Sequence, residues 1–359
     1  MRAKIARHGC QISGTYVTTI DRANLVNSSW EARINTRPIR RFVSVLVTSL
    51  LDVQIAIIGG TQALWQTMKL SDKDNAPLND DAISEHIAMA LSVSPPTSRE
   101  FDIAYKIIKA IFSPVVFGAE NIPDQPCLFV GNHSLFALDG MVLAPIMQED
   151  YGRFLRPMGD KFLFTVDAIG KFLNKRGAVM GHPQICTALM DDGQDILVFP
   201  GGAHEAVKSA SEMYALQWRE RYGFIKLAAK HGYTIMPFGM VGPDEFYGHF
   251  IEGADLPNSL LGRLLKRTGL ISENTRPDML PPIPTGVLGS LLPKPQRCYI
   301  GFGQPVDLSQ HKGKVPGKRK LQTIRNEVSG EIEKQLCELL LTREQRKDQD
   351  GLLRRLLTL

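Results

Sequence analysis

The stretch "CLFVGNHSLFALDG", Cys127 to Gly140, decides the fold. Its first four residues are a short apolar run after a Pro-rich segment, which reads as a buried strand. Asn132, a good N-cap residue, follows, so His133 is expected at the start of a helix leaving that strand. Open α/β sheets place their clefts at such strand ends, and His133 is therefore expected at a sheet edge. Asp139 comes six positions later. Either it orients His133 as a catalytic base, or a core histidine happens to neighbour a helix-cap acid. On a regular helix a step of six turns about 240°, so the two side chains can meet only if "SLFAL" breaks the helix between them.

Working outward, the same texture recurs. A periodic helix carrying Ile103, Ile107, Ile108 and Ile111 precedes a strand at Val115 to Phe117. The runs "DILVFPGG" (Asp195 to Gly202), "YTIMPFGMVG" (Tyr233 to Gly242) and "RCYIGFGQPV" (Arg297 to Val306) read as further buried strands closed by Gly or Pro. Between them "EMYALQWRERYGFIKLAAKHG" reads as a helix or helix pair ending at Gly232, a C-cap. Repeated strand, loop and helix units predict an α/β fold, a central mixed sheet covered by helices.

The flanks differ from this core. Residues 1–95 read as an N-terminal helical extension closed by the linker "SDKDNAPLNDD", Ser71 to Asp81. Its apolar run Phe42 to Gly60 follows Arg33, Arg37, Arg40 and Arg41 and is interrupted by Asp52 and Gln54. It is either a membrane span or an interfacial helix. Residues 311–359 read as a C-terminal amphipathic helix, with Leu321, Ile324, Val328, Ile332, Leu336, Leu339 and Leu340 on one face. The tail "GLLRRLLTL" either docks on protein or touches lipid.

With 359 residues, 43% hydrophobic and 22% charged, the chain has ordinary globular composition. A net charge of +5 suits an anionic partner such as a phosphate-rich substrate or an acidic membrane surface, and no nucleic-acid partner is expected. Cys10, Cys127, Cys186, Cys298 and Cys337 are widely spaced, so free thiols and no metal are expected. No secretory signal is expected from the basic N-terminus, which lacks an apolar core.

The second chemical feature is "VFPGGAHEAVK", Val198 to Lys208. Paired glycines let backbone N–H groups approach a ligand oxygen closely, though a tight strand-to-helix loop needs them equally. In "HEAVK", Lys208 stands where a zinc-protease motif needs its second histidine, which excludes that reading.

In order and spacing, "VGNHSLFALD", "FPGGAHE" and "YTIMPFGMVG" resemble the glycerolipid acyltransferase superfamily, over about residues 96–310. The look is closest to the diacylglycerol acyltransferase type 2 and phytyl ester synthase-like branch. The resemblance implies a glycerol-phosphate-acyltransferase-like fold and transfer of a fatty acyl group from acyl-CoA or acyl-carrier protein to a lipid alcohol such as diacylglycerol or a lysophospholipid. It implies His133 as general base and Asp139 as its orienting acid. Substrate contacts are implied for Asn132, Phe199, Pro200, Gly201, Gly202 and Glu205. The strand ending in Ile235, Met236 and Pro237 matches a further family motif. No cofactor beyond the acyl-CoA co-substrate is implied, and the enzyme is expected at a membrane with its site facing the cytoplasm. The spacing departs from the superfamily's His-x4-Asp, and the basic residue of its second motif corresponds either to Arg176 or to His182. The competing readings are a lipid esterase or thioesterase, and an inactive membrane-binding homologue. No G-x-S-x-G is present to supply a hydrolase nucleophile elbow.

Overall fold

The computed structural model describes residues 79–96, 99–164, 167–267 and 280–358, all within one compact unit. The run Phe42 to Gly60 lies outside the described residues.

In chain order, helices α1 (Asp80–Ser92) and α2 (Arg99–Phe112) lead into strands β1 (Val115–Phe117) and β2 (Cys127–Gly131). Then come α3 (Leu138–Tyr151), β3 (Leu155–Gly159), α4 (Asp167–Lys175), β4 (Val179–Met180), α5 (Pro183–Asp191) and β5 (Asp195–Val198). The short α6 (Gly202–Ala206), α7 (Gly223–His231) and β6 (Thr234–Val241) follow. An excursion of β7 (Gly248–Ile251), α8 (Leu260–Arg267) and β8 (Ile283–Thr285) separates β6 from β9 (Tyr299–Phe302). The chain closes with α9 (Lys318–Gln345) and α10 (Leu352–Leu357).

The main sheet has seven strands in the order β1-β9-β6-β2-β5-β3-β4. Strands β6, β2, β5, β3 and β4 are mutually parallel, while β9 runs antiparallel to β6 and carries β1 beside it. The sheet is thus mixed, as expected, and the parallel strands end on one common edge.

Alternation along β2 sorts the core into two faces. Leu128 and Val130 join buried residues of α5, α7 and α9, whereas Cys127 and Phe129 join Leu138, Val142, Leu143 and Met147 of α3. Cys127, Cys186, Cys298 and Cys337 are free thiols. Burial pushes the Cys127 thiol up to about 11 and that of Cys186 up to about 12, so both stay protonated and packed.

Helices from both flanks, before residue 96 and after residue 310, pack into this core. On α1, Ile83 and Ala90 are buried, the Ala90 carbonyl accepts from Arg156 at 2.7 Å, and His86 accepts from the Met180 N–H at 3.0 Å. On α9, Leu321, Ile324, Val328, Ile332, Leu336 and Leu339 are buried against the sheet. Each such side chain is worth about 1.5–3 kcal/mol, so α9 is part of the core rather than an appendage.

Of the helix or helix pair expected across Glu212 to Gly232, only the second half is an α-helix. Tyr214 and Arg219 adopt positive φ (65° and 50°), which interrupts any helix, and α7 begins at Gly223. Its end at a left-handed Gly232 (φ 69°) matches the expected cap.

Candidate functional site

Strand β2 is buried along its whole length and delivers the chain to the sheet edge. A Cβ on Gly131 would lie 2.4 Å from the Phe238 ring, so that position holds glycine for lack of space. Asn132 then departs from its expected place as a helix N-cap, which Ser134 and Ala137 take instead. Its amide donates to the Met240 carbonyl at 3.0 Å and accepts from the Met240 N–H at 2.8 Å, extending the β2–β6 pairing by one side chain. It is buried there.

The backbone between His133 and Asp139 is broken, as the spacing demanded. Leu135–Ala137 form a single tight turn in which Phe136 (φ 59°, ψ 19°) and Ala137 (φ 56°, ψ 31°) are both left-handed, and α3 starts only at Leu138. Left-handed non-glycine residues cost about 1–2 kcal/mol each. Burial of Leu135 and Leu138 on either side, and an edge-on contact of Phe136 with Tyr247 at 5.9 Å, hold them there.

This turn brings Asp139 back to His133. The Asp139 Oδ2 lies 2.8 Å from His133 Nδ1 and accepts from the Ser134 N–H at 2.5 Å, and Oδ1 accepts from the Gly140 N–H at 2.6 Å. Asp139 also sits in the first turn of α3, where the helix dipole favours a negative charge. Its side chain is fully buried, while that of His133 retains 12% exposure. With a carboxylate at Nδ1, the neutral ring carries its proton there and leaves Nε2 as an open acceptor.

The "FPGG" turn supplies the other wall. The Phe199 ring stacks on His133, 4.3 Å between centroids and 8° from parallel. Gly202 is left-handed (φ 53°), and its N–H closes the turn on the Phe199 carbonyl at 2.9 Å. One of the two N–H groups expected to reach a ligand is thereby used within the turn. Arg221 donates to the Pro200 carbonyl at 2.8 Å and fixes it from outside.

Glu205 lies under this turn. Its side chain is fully buried beneath Gly201, whose absent Cβ would lie 2.0 Å from Glu205 Oε2. Its two oxygens accept from the backbone N–H groups of His133 (2.7 Å) and Gln217 (2.9 Å). Burial raises its carboxyl above the usual range, against the pull of Lys208. Glu205 therefore holds the histidine's backbone.

Lys208 and Asp244 were not foreseen. Lys208 donates to the His133 carbonyl and pairs with Asp244 at 2.8 Å, both side chains being almost fully buried. From Asp244 the polar chain continues outward. Asp244 accepts from the Tyr214 N–H (2.7 Å), the Tyr214 hydroxyl donates to Glu245 (3.1 Å), and Arg343 of α9 donates to the same Glu245 oxygen (2.6 Å). The signal for Lys208 was its failure to be a histidine in "HEAVK", which reads as an exclusion and hides a lysine that has another task.

Of the two candidates for the family's second basic motif, Arg176 lies just past the end of α4, exposed, with its guanidinium 3.5 Å from the Phe172 ring centroid. His182 is the N-cap of α5, beyond the end of β4 on the same sheet edge as His133. Its ring nitrogen accepts from the Gln184 N–H at 3.3 Å.

The helix-covered sheet thus holds a histidine–aspartate pair and a proline–glycine turn at one edge. Residues 113–241 match the family model described as "Acyltransferase". It is 29% identical over 247 residues to phytyl ester synthase 1, chloroplastic, of Arabidopsis thaliana, covering 64% of this chain and 35% of that protein. It is likewise 29% identical over 120 residues to the "DGAT1/2-independent enzyme synthesizing storage lipids" of Gallus gallus, covering 33% and 36%. The chain spans about a third of the length of the phytyl ester synthases it matches. Among solved structures it is similar to the 1-acyl-sn-glycerophosphate (LPA) acyltransferase of Thermotoga maritima, at a TM-score of 0.42 and 14% identity over 83% of this chain and 97% of that one. Among the described residues no helix is long and apolar enough to cross a membrane.

Proposed function

We propose that the protein moves a fatty acyl group from a thioester donor, acyl-CoA or acyl-carrier protein, to a lipid alcohol, with His133 as general base and Asp139 orienting it. The observation that carries this reading is the 2.8 Å contact between His133 Nδ1 and a carboxylate that is itself fully buried and held by two backbone N–H groups. An alcohol is a weak nucleophile at neutral pH, and the open Nε2 takes its proton as the oxygen attacks the thioester carbonyl. The carbonyl carbon gains the new ester bond, the sulfur leaves as thiolate, and the imidazolium returns the proton to it. Asp139 stabilises that transient imidazolium, the task of the carboxylate in serine triads.

Direct transfer is favoured over an acyl-enzyme because the hydroxyl of Ser134, next to His133 in the chain, is occupied. Ser134 is buried, and its Oγ accepts from the Asp139 N–H at 3.2 Å. The relatives named as phytyl ester synthase and storage-lipid synthesising enzyme support an acceptor that is a lipid alcohol.

The test is a panel of monoacylglycerol, diacylglycerol, lysophospholipid, long-chain alcohol and sterol acceptors with labelled acyl-CoA and the full chain. Ester product in at least one arm, lost in the His133→Gln variant, is the expected result. Ester formation that His133→Gln leaves unchanged overturns the mechanism. Free fatty acid without ester in every arm makes the protein a thioesterase instead.

A further inference from the structure

The excursion between β6 and β9 carries an unusual share of the exposed apolar surface. Of the fourteen exposed large apolar side chains among the described residues, six fall between residues 250 and 291: Phe250, Leu260, Leu261, Leu264, Leu288 and Leu291. Leu288 is 89% exposed, Leu260 80% and Phe250 73%. Soluble surfaces scatter such residues singly, and a cluster marks something that covers it.

Helix α8, "LLGRLLKR", shows how the cluster is made. Gly262 is its protein-facing side, because a Cβ there would lie 1.7 Å from the Leu256 carbonyl oxygen. Leu260, Leu261 and Leu264 are exposed, at a spacing that puts Leu260 and Leu264 side by side on the helix. Arg263 and Arg267, one turn apart, are exposed as well. Exposed leucines interleaved with arginines on a short helix match the interface of an anionic bilayer, where apolar side chains enter the acyl boundary and cations meet headgroups. Helix α10, "LLRRLL", exposes leucines too, but Arg354 is held by Ser113 at 2.7 Å and Arg355 by Asp348 at 2.7 Å. Arg354 also lies 3.9 Å from Asp350, so both arginines are held by partners within the protein, which sets α10 apart.

We propose that α8 is a docking surface for an anionic lipid bilayer. Its position in the fold gives the surface a use. Strand β6 runs parallel to β2 and so ends on the edge that carries His133, and the excursion begins there. Tyr247, just before β7, packs on Phe136 of the turn between His133 and Asp139. Glu252, just after β7, accepts from the Ala210 N–H at 3.1 Å, close behind the "FPGG" turn. A bilayer gripped by α8 is brought to the sheet edge where lipid substrates react, a consequence that rests on the acyl-transfer reading above.

The experiment uses the full chain, vesicles of phosphatidylcholine with and without phosphatidylglycerol, and a Leu260→Trp variant whose fluorescence is read as the difference from the parent chain. A blue shift and quenching by brominated lipid, stronger with phosphatidylglycerol, are expected. The Arg263→Glu/Arg267→Glu variant should bind anionic vesicles at least roughly tenfold more weakly. Leu260→Ser/Leu264→Ser should weaken binding to both vesicle types. The proposal is overturned if the chain binds no vesicles, or if it binds with no spectral change at position 260. It is equally overturned if light scattering finds a dimer that Leu260→Ser/Leu264→Ser dissolves, since a second copy then covers the face. Acyl transfer in detergent micelles separates the two readings. Activity retained there by Arg263→Glu/Arg267→Glu locates the defect in docking, and a parent chain that binds vesicles but acylates no acceptor removes the acyl-transfer reading and leaves the docking surface standing.

Discussion

His133 meets Asp139 at 2.8 Å, and at another place in the molecule His231 meets Asp191 at 2.9 Å. Distance does not distinguish them. Asp139 is fully buried and pinned by two backbone N–H groups, whereas the Asp191 side chain is 66% exposed at the end of α5. The far ring nitrogens differ in the opposite sense. His231 Nε2 is buried without a hydrogen-bond partner among the described residues, while His133 keeps an open side at the sheet edge. A dyad is therefore defined by a fixed acid on one side of the ring and access on the other, and only the first pair has both.

A series of substitutions presses on that contrast. The largest effect is expected at the pair itself: His133→Gln should lower acyl transfer by about 10²- to 10⁴-fold, and His231→Gln should leave the rate unchanged. Asp139→Asn should cost less than His133→Gln, because the base remains and only its orientation is lost. Initial rates under one donor and acceptor check all three.

Next comes the scaffold beneath the first pair, which the second pair lacks. Lys208→Met leaves Asp244 charged, buried and unpaired, at a cost of about 3–5 kcal/mol. The Lys208→Met/Asp244→Leu double variant should recover much of that stability while leaving the His133 carbonyl without its donor. Denaturant unfolding of the two proteins beside the parent reads the difference.

Glu205→Gln should cost about 1–3 kcal/mol, since a carboxylate that serves two N–H donors becomes an amide that can accept at one oxygen. It should also change the pH profile. Burial raises the Glu205 carboxyl, so the folded chain holds that proton more tightly than the unfolded one. Its contribution to stability is present below the ordinary carboxylate range and fades as pH rises through the raised value. Melting temperature against pH should therefore fall more steeply for the parent than for Glu205→Gln across that window. The smallest effect is at the surface pair, where Asp191→Asn should move stability by no more than about 0.5 kcal/mol.

The parts of this molecule that speak in the sequence are those where one physical demand dominates. Strands β2, β5, β6 and β9 are buried on both faces and read as apolar runs, and α9 shows its buried stripe directly. Strand β3, "LRPMG", stays hidden because it carries a proline and a buried arginine whose partners, the carbonyls of Gly177 and Ala90, are remote in sequence. Strands β7 and β8 are short, partly buried and paired only with each other. At the site, the six-residue step from His133 to Asp139 was enough to require a broken helix. The roles of Asn132, Glu205 and Lys208 were not legible, because each is set by a partner across the sheet edge: Met240, the His133 backbone, and Asp244.

The strand order also limits how the protein can be shortened. The family match stops at Val241, yet β1, inside it, hydrogen-bonds in the sheet only to β9, and the edge of β6 away from β2 is likewise closed by β9. A fragment cut to residues 113–241 would carry every residue of the dyad and the glycine turn and still present an orphan strand and an open sheet margin, with no α9 to shield the apolar face beneath. Conserving the chemistry in a minimal piece of this protein therefore means keeping about a hundred residues that contain none of it.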